Sequence, residues 1–140
     1  MSSRQALCRA AVIAAIAVAI AMLGIHDFRD PMRTPRLVLL YVGAEDCAPC
    51  RAWQRDAKID FQALGEFQRL VYREVKAPTL FDILKDENWP EDLREYRDQL
   101  GSEAGVPLWL VIADSRVVQR GMGPTQWRAK VLPKIKSLLR

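Results

Sequence analysis

The sequence predicts an α/β domain with a central mixed sheet of about four strands flanked by helices, and three observations carry that reading. Two apolar runs of β-forming type, Arg36–Val42 and Leu108–Ala113, suit strands buried on both faces. Stretches with apolar residues at helical spacing lie between and after them. The composition, 50% apolar and 27% charged over 140 residues, is that of one ordinary globular domain. With 8 Pro, 7 Gly and no biased or repeated tract, the chain is neither collagenous, nor low-complexity, nor a solenoid. Its 21 basic residues are interspersed with 17 acidic ones, leaving a net charge of +4 and no clustered basic face for nucleic acid.

Residues 1–30 read as an export segment rather than as part of that domain. Arg4 and Arg9 precede an unbroken apolar run from Ala10 to Ile25, and the chain turns polar at His26-Asp27-Phe28-Arg29-Asp30. At 1.5 Å per residue the run spans about 24 Å, short of a hydrocarbon core of roughly 30 Å, so a cleaved signal peptide and an uncleaved membrane anchor through residues 10–25 both stay open. The small-residue triplets Ala17-Val18-Ala19 and Ala19-Ile20-Ala21 arise easily in an Ala-rich segment and do not decide it. A buried core helix is the alternative, but the run lacks the polar stripe of one. Either export outcome places residues 31–140, the expected domain, in a periplasmic or other extracytoplasmic compartment, because arginines hold the N-terminus inside.

Along the domain, Pro31 to Pro35 forms a linker and Arg36–Val42 a central strand. Gly43-Ala44-Glu45-Asp46 makes a turn, after which Cys47-Ala48-Pro49-Cys50 opens a helix through Ala57, with Pro49 in the first turn where its missing N–H costs nothing. Gly65 breaks away from the helix, and Leu70–Val75 is a second strand, completing a βαβ unit. Pro78–Leu100 reads as helical with an interruption at Asn88-Trp89-Pro90; Pro90 restarts a helix carrying Leu93, Tyr96 and Leu100, and Gly101 ends it. After Gly105-Val106-Pro107, the strands Leu108–Ala113 and Val117–Arg120 form a hairpin around Asp114-Ser115, broken by Gly121 and Gly123. A closing helix from about Thr125 aligns Trp127, Val131, Ile135 and Leu138, and Pro133 should kink or split it.

Of the cysteines Cys8, Cys47 and Cys50, only the last two lie in the domain, three positions apart. A bridge closing so short a loop stabilises little, so the pair points to chemistry. A helix N-terminus stabilises a thiolate, which makes Cys47 the expected nucleophile and Cys50, one turn in, the more shielded resolving thiol. Arg51 adds positive charge and Asp46 opposes it. Cys8 precedes the apolar run and receives no role. No metal site is expected, since the second half of a zinc site is missing and the sole histidine is His26. Transient Cu(I) binding by the two thiolates would lack a third ligand, and Arg51 stands where haem attachment needs histidine. Trp109 and Trp127 read as core; Trp53 is expected beside Cys50; Trp89 reads either as core or as an exposed partner contact.

Taken together, a strand, Cys-X-Pro-Cys at a helix start, a second strand, a helix, Gly-Val-Pro, a hairpin and a terminal helix resemble the thioredoxin family over about residues 33–140. The resemblance implies that Pro107 follows a cis peptide bond and packs against the disulfide, with the Val106 backbone presented to an extended substrate segment. It implies no cofactor beyond the redox-active Cys47–Cys50 disulfide, and protein thiols and disulfides as partners. Ala48-Pro49 is similar to the Gly-Pro of reducing thioredoxins, which favours reduction and hence a transmembrane electron donor, with cytochrome c or copper-oxidase maturation as targets. A disulfide-forming oxidant, a copper chaperone and a redox-inactive adapter are the alternatives. Four departures stand out. Asp46 replaces the usual Trp; Tyr41 replaces a buried acid, leaving Glu45 either a water-mediated base or a solvated turn residue. Arg55 replaces a mid-helix proline, and residues 76–104 are longer and more charged, which implies narrow substrate choice.

Overall fold

The run from Leu37 to Ala44 is buried along almost its whole length because it lies in the middle of a sheet. The structure, a computed structural model, describes residues 36–102 and 104–140; the expected export segment, the linker, Cys8 and His26 lie outside the described residues. Strand β1 (Leu37–Ala44) pairs in parallel with β2 (Val71–Ala77) and antiparallel with β3 (Leu108–Ala113), and β4 (Arg116–Met122) closes the order β2-β1-β3-β4. Both β1 and β2 run two residues past their expected ends, because Gly43 and Ala44 continue the ladder opposite Lys76 and Ala77. The hairpin turn at Asp114-Ser115 places both residues at positive φ, 48° and 63°, the geometry that matches the twist of the flanking strands. Gly121, expected to end the hairpin, instead stays in the ladder opposite Trp109, where a Cβ would collide with Val131.

Helix α1 covers residues 48–62 and does not stop at Ala57. Its middle, Trp53–Ala57, is a wide turn in which the Lys58 N–H donates to the Trp53 carbonyl, and Lys58–Gln62 continues it. The helix passes from one core to the other: Cys47 and Cys50 belong with the aliphatic face of the sheet, whereas Trp53, Ala57 and Phe61 belong with the aromatic face. Trp53 therefore packs against Tyr41, Trp109 and Trp127 and not over Cys50 as expected.

Residues 78–93 are three short 3-10 turns, Leu80–Asp82, Asp86–Asn88 and Glu91–Leu93, where a helix was expected. Local side-chain bonds outcompete the helix: the Thr79 hydroxyl donates to the Asp82 carboxylate (2.9 Å), and the Asn88 amide donates to the Asp82 carbonyl (2.8 Å). Trp89 is core, 2% exposed, and its indole N–H donates to the Ile83 carbonyl at 2.6 Å. Helix α2 (Arg94–Asp98) follows, and Gly101 at φ 72° turns the chain away.

Helix α3 covers residues 123–138 and begins two residues before the expected Thr125. It is not split by Pro133. The turn before the proline, Trp127–Val131, is again wide, with the Leu132 N–H donating to the Trp127 carbonyl, so the register is already relaxed where the donor is missing. Among the described residues no helix is long and apolar enough to cross a membrane.

Candidate active site

The end of β1 delivers the turn at Glu45 and Asp46, whose first N–H donates to Ala77 (3.0 Å), and then Cys47 in extended conformation as the N-cap of α1. Its sulfur accepts the Cys50 N–H at 3.2 Å, the position normally taken by a capping oxygen. Pro49 sits in the first turn, so no donor is lost there. Cys47 and Cys50 are joined as a disulfide with Cα atoms 5.2 Å apart. In this form both are buried, 4% and 2% exposed, so the expected contrast in shielding is slight. Their neighbours differ instead. Cys47 Sγ lies 3.9 Å from the Val106 carbonyl oxygen, beside a cis Val106–Pro107 peptide bond, and Pro107 is buried with its own carbonyl accepting from Gly123 (2.8 Å).

Asp46 and Arg51 hold the approach to the pair. The Asp46 carboxylate accepts the Leu80 N–H at 2.9 Å, and Arg51 donates to the Glu45 carbonyl at 2.8 Å. Ala48 and Pro49 lie exposed on the first turn. The structure thus brings together every residue picked from the sequence: Cys47, Cys50, Asp46, Ala48, Pro49, Arg51, Val106 and Pro107.

On the Cys50 side, Tyr41, Gln54, Arg51, Arg55 and Lys76 complete a cleft of about 410 Å³. Burial, opposed by a bond from Gln54, pushes the Tyr41 phenol up to about 12, so it stays protonated near neutrality. Next to it in register on β2 is Glu74, a group that sequence reasoning missed. It accepts hydrogen bonds from Lys58 (2.6 Å), Tyr72 (2.8 Å) and Gln54 (3.1 Å). Burial pushes its carboxyl up, but these donors outweigh burial and hold it below the usual carboxylate range. The i,i+4 spacing of Gln54 and Lys58 was the only local signal; Glu74 joins them through strand pairing. On the opposite side of the pair, Pro49, Trp53, Phe61, Pro107, Trp109 and Trp127 border an apolar groove of about 450 Å³. Among the described residues no group of three or more His, Cys, Asp or Glu side chains is arranged to hold a metal ion.

This architecture has solved counterparts. The crystal structure of the short form of thioredoxin F from spinach chloroplast matches over 81% of this chain and 88% of its own, with a TM-score of 0.50 and 19% identity. The long form matches over 75% and 72%, with a TM-score of 0.51 and 18% identity. No family model matches the sequence, and no curated protein does. The chain has the thioredoxin fold. Its disulfide-bonded Cys-X-X-Cys pair at the end of the first strand makes it a dithiol–disulfide protein of that fold, in agreement with the resemblance drawn from the sequence.

Proposed function

We propose that the protein is an extracytoplasmic thiol-disulfide oxidoreductase that acts on protein partners, with Cys47 as nucleophile and Cys50 as resolving thiol. The observation that carries this reading is the setting of Cys47 Sγ, at a helix N-terminus, receiving a backbone N–H at 3.2 Å and facing the Val106 carbonyl at 3.9 Å. Donated hydrogen bonds and the positive end of the helix favour the thiolate, which is the attacking species.

In the reductive direction the Cys47 thiolate attacks one sulfur of a partner disulfide, forming a mixed disulfide and releasing the other partner sulfur as a thiolate that takes up a proton. Cys50, having lost its proton, attacks Cys47 Sγ; the second partner thiolate leaves, and the Cys47–Cys50 disulfide forms. Two electrons pass to the partner. Tyr41, pushed up to about 12, already carries its proton near neutrality and so cannot take the Cys50 proton, and the cleft beside Cys50 gives that proton a route to solvent. The Ala48-Pro49 dipeptide favours reduction, and a reductant in an oxidising compartment must be recharged, so a transmembrane donor returns the two electrons. Disulfide-bonded cysteines of apocytochrome c or of a copper-site protein during oxidase assembly fit as targets. Residues 10–25 supply export, as a signal or as an anchor.

The deciding measurement is the reduction potential of the Cys47–Cys50 couple in the full chain carrying Cys8→Ser, by equilibration with glutathione and mass-tagging of free thiols. A value near −270 mV supports the reductant, and one near −120 mV reverses the direction. Cys47→Ser should abolish exchange, while Cys50→Ser should accumulate mixed disulfides with partners. Wild-type rates from Cys47→Ser would overturn the mechanism.

A further inference from the structure

We propose that Leu80 and Phe81 form the surface by which the dithiol centre selects its partners, and that the partner segment is an extended one with a large apolar side chain within about three residues of its cysteine. The proposal rests on the thiol-exchange reading and adds to it the chemistry of the substrate. Phe81 is 94% exposed and Leu80 47% exposed. An exposed aromatic on a loose loop would mean little, but this one stands on a braced turn. The Leu80 N–H is held by Asp46 (2.9 Å), the Asp82 N–H by the Thr79 carbonyl (3.0 Å), and the Asp82 side chain by Thr79 (2.9 Å) and Lys85 (2.6 Å). Below it, Ile83 is 5% exposed, and its carbonyl accepts from the indole of buried Trp89. A side chain fixed in advance loses little freedom on binding, which is what makes an exposed aromatic an effective anchor.

The turn is continuous with the reactive edge. Asp46, which ties down Leu80, directly precedes Cys47, whose sulfur faces the Val106 carbonyl. Beyond Val106, Met122, 46% exposed, lies over Gly105, where a Cβ would collide with its sulfur. An extended segment placing its cysteine at Cys47 thus meets apolar side chains from the turn after β2 on one side and from the end of β4 on the other. The Asp46 carboxylate holds in place the turn that presents an exposed aromatic.

The test uses the reduced full chain carrying Cys8→Ser and two synthetic peptides, each a mixed disulfide with 5-thio-2-nitrobenzoate. They differ only in Phe or Ser two residues before the cysteine, and release of the chromophore gives the second-order rate. The readout is the ratio of the Phe-peptide rate to the Ser-peptide rate. Phe81→Ser should lower that ratio about tenfold, and Phe81→Leu should restore most of it. Ile59→Ser, which removes a 59% exposed apolar side chain elsewhere, should leave it unchanged. An unchanged ratio in Phe81→Ser overturns the proposal. So does a wild-type dimer in sedimentation that Phe81→Ser dissociates without altering the ratio, because the patch would then serve a second copy of the chain. Hydroxyethyl disulfide, a probe with no segment to reach the turn, tests the underlying activity separately; if the wild type does not reduce it, the exchange reading fails and this contact falls with it.

Discussion

On one face of the sheet Leu40, Val42, Leu108 and Leu110 pack with Cys47, Cys50, Ile83 and Leu93, whereas on the other Leu39, Tyr41 and Trp109 pack with Trp53, Phe61 and Trp127. The aromatic face is a mesh of edge-to-face rings carried by two helices and β3, with Trp53–Trp127, Trp53–Trp109 and Phe61–Trp127 centroids 4.4, 4.8 and 5.1 Å apart. The redox face is mostly aliphatic apart from Trp89 and Tyr96, and much of its covering is short turns fixed by hydrogen bonds, donated by Trp89 to Ile83 and by Leu80 to Asp46. Large buried rings supply stability through area and contact. Hydrogen-bonded turns contribute less free energy but set position, which is what an attacking sulfur and its partner need.

Substitutions can break or sharpen that contrast. The largest effect is expected from Trp127→Ala, which empties the aromatic mesh: about 4 kcal/mol, read as a fall of more than about 15 °C in the thermal midpoint. The Cys47–Cys50 potential should hardly change while the protein is folded. A shift of more than about 30 mV would show that the faces are coupled.

Glu74→Gln should cost about 2 kcal/mol near neutrality, because it leaves Lys58, 19% exposed at its side chain, without its carboxylate. The sign of the pH dependence follows from the lowered Glu74 pKa. Its stabilisation is fully present above the usual value of 4.5 and is lost as pH falls through the folded value. Denaturant midpoints at pH 7 and pH 3 should therefore differ more in the wild type than in the variant; equal differences would refute the assignment.

Gly43→Ala should cost about 2 kcal/mol in chemical denaturation, since the added Cβ would run into the Tyr41 hydroxyl. Tyr41 is 1% exposed and packed on Trp53, so it has no cheap way to yield. Wild-type stability would show that the phenol can swing into the cleft beside Cys50. A stability effect of about 2 kcal/mol is also expected from Trp89→Phe, which removes the bond to the Ile83 carbonyl together with part of a buried indole. Its larger consequence should be a slower reaction with the Phe-bearing peptide, because the turn carrying Phe81 loses a brace. If stability and rate fell in the proportion seen for Trp127→Ala, the division of labour between the faces would not hold.

The strands were legible because burial on both sides of a sheet demands continuous apolar runs, and Arg36–Val42 and Leu108–Ala113 are such runs. For the same reason the sequence did not distinguish the faces: with apolar residues at every position, alternation carries no signal, and only packing sends Tyr41 to the aromatic side and Leu40 to the other. Residues 78–93 misled because Leu80, Ile83 and Leu84 mimic helical spacing, while Thr79, Asp82 and Asn88 satisfy the backbone locally and stop a helix from propagating.

By itself the sequence determined the chemistry of the centre, since two thiols three apart, a first-turn proline and a Val-Pro before a strand are local patterns whose meaning is set by bond geometry. It also determined the order of the strands and helices around that centre. Tertiary structure alone decided what surrounds the thiols: Val106 against Cys47 across 59 positions, Asp46 on the Leu80 turn, Glu74 meeting Gln54 and Lys58 behind Tyr41. Those contacts depend on strand pairing and on which core each turn of α1 enters. Both are settled by the burial of distant residues against one another, and no short stretch of chain encodes them.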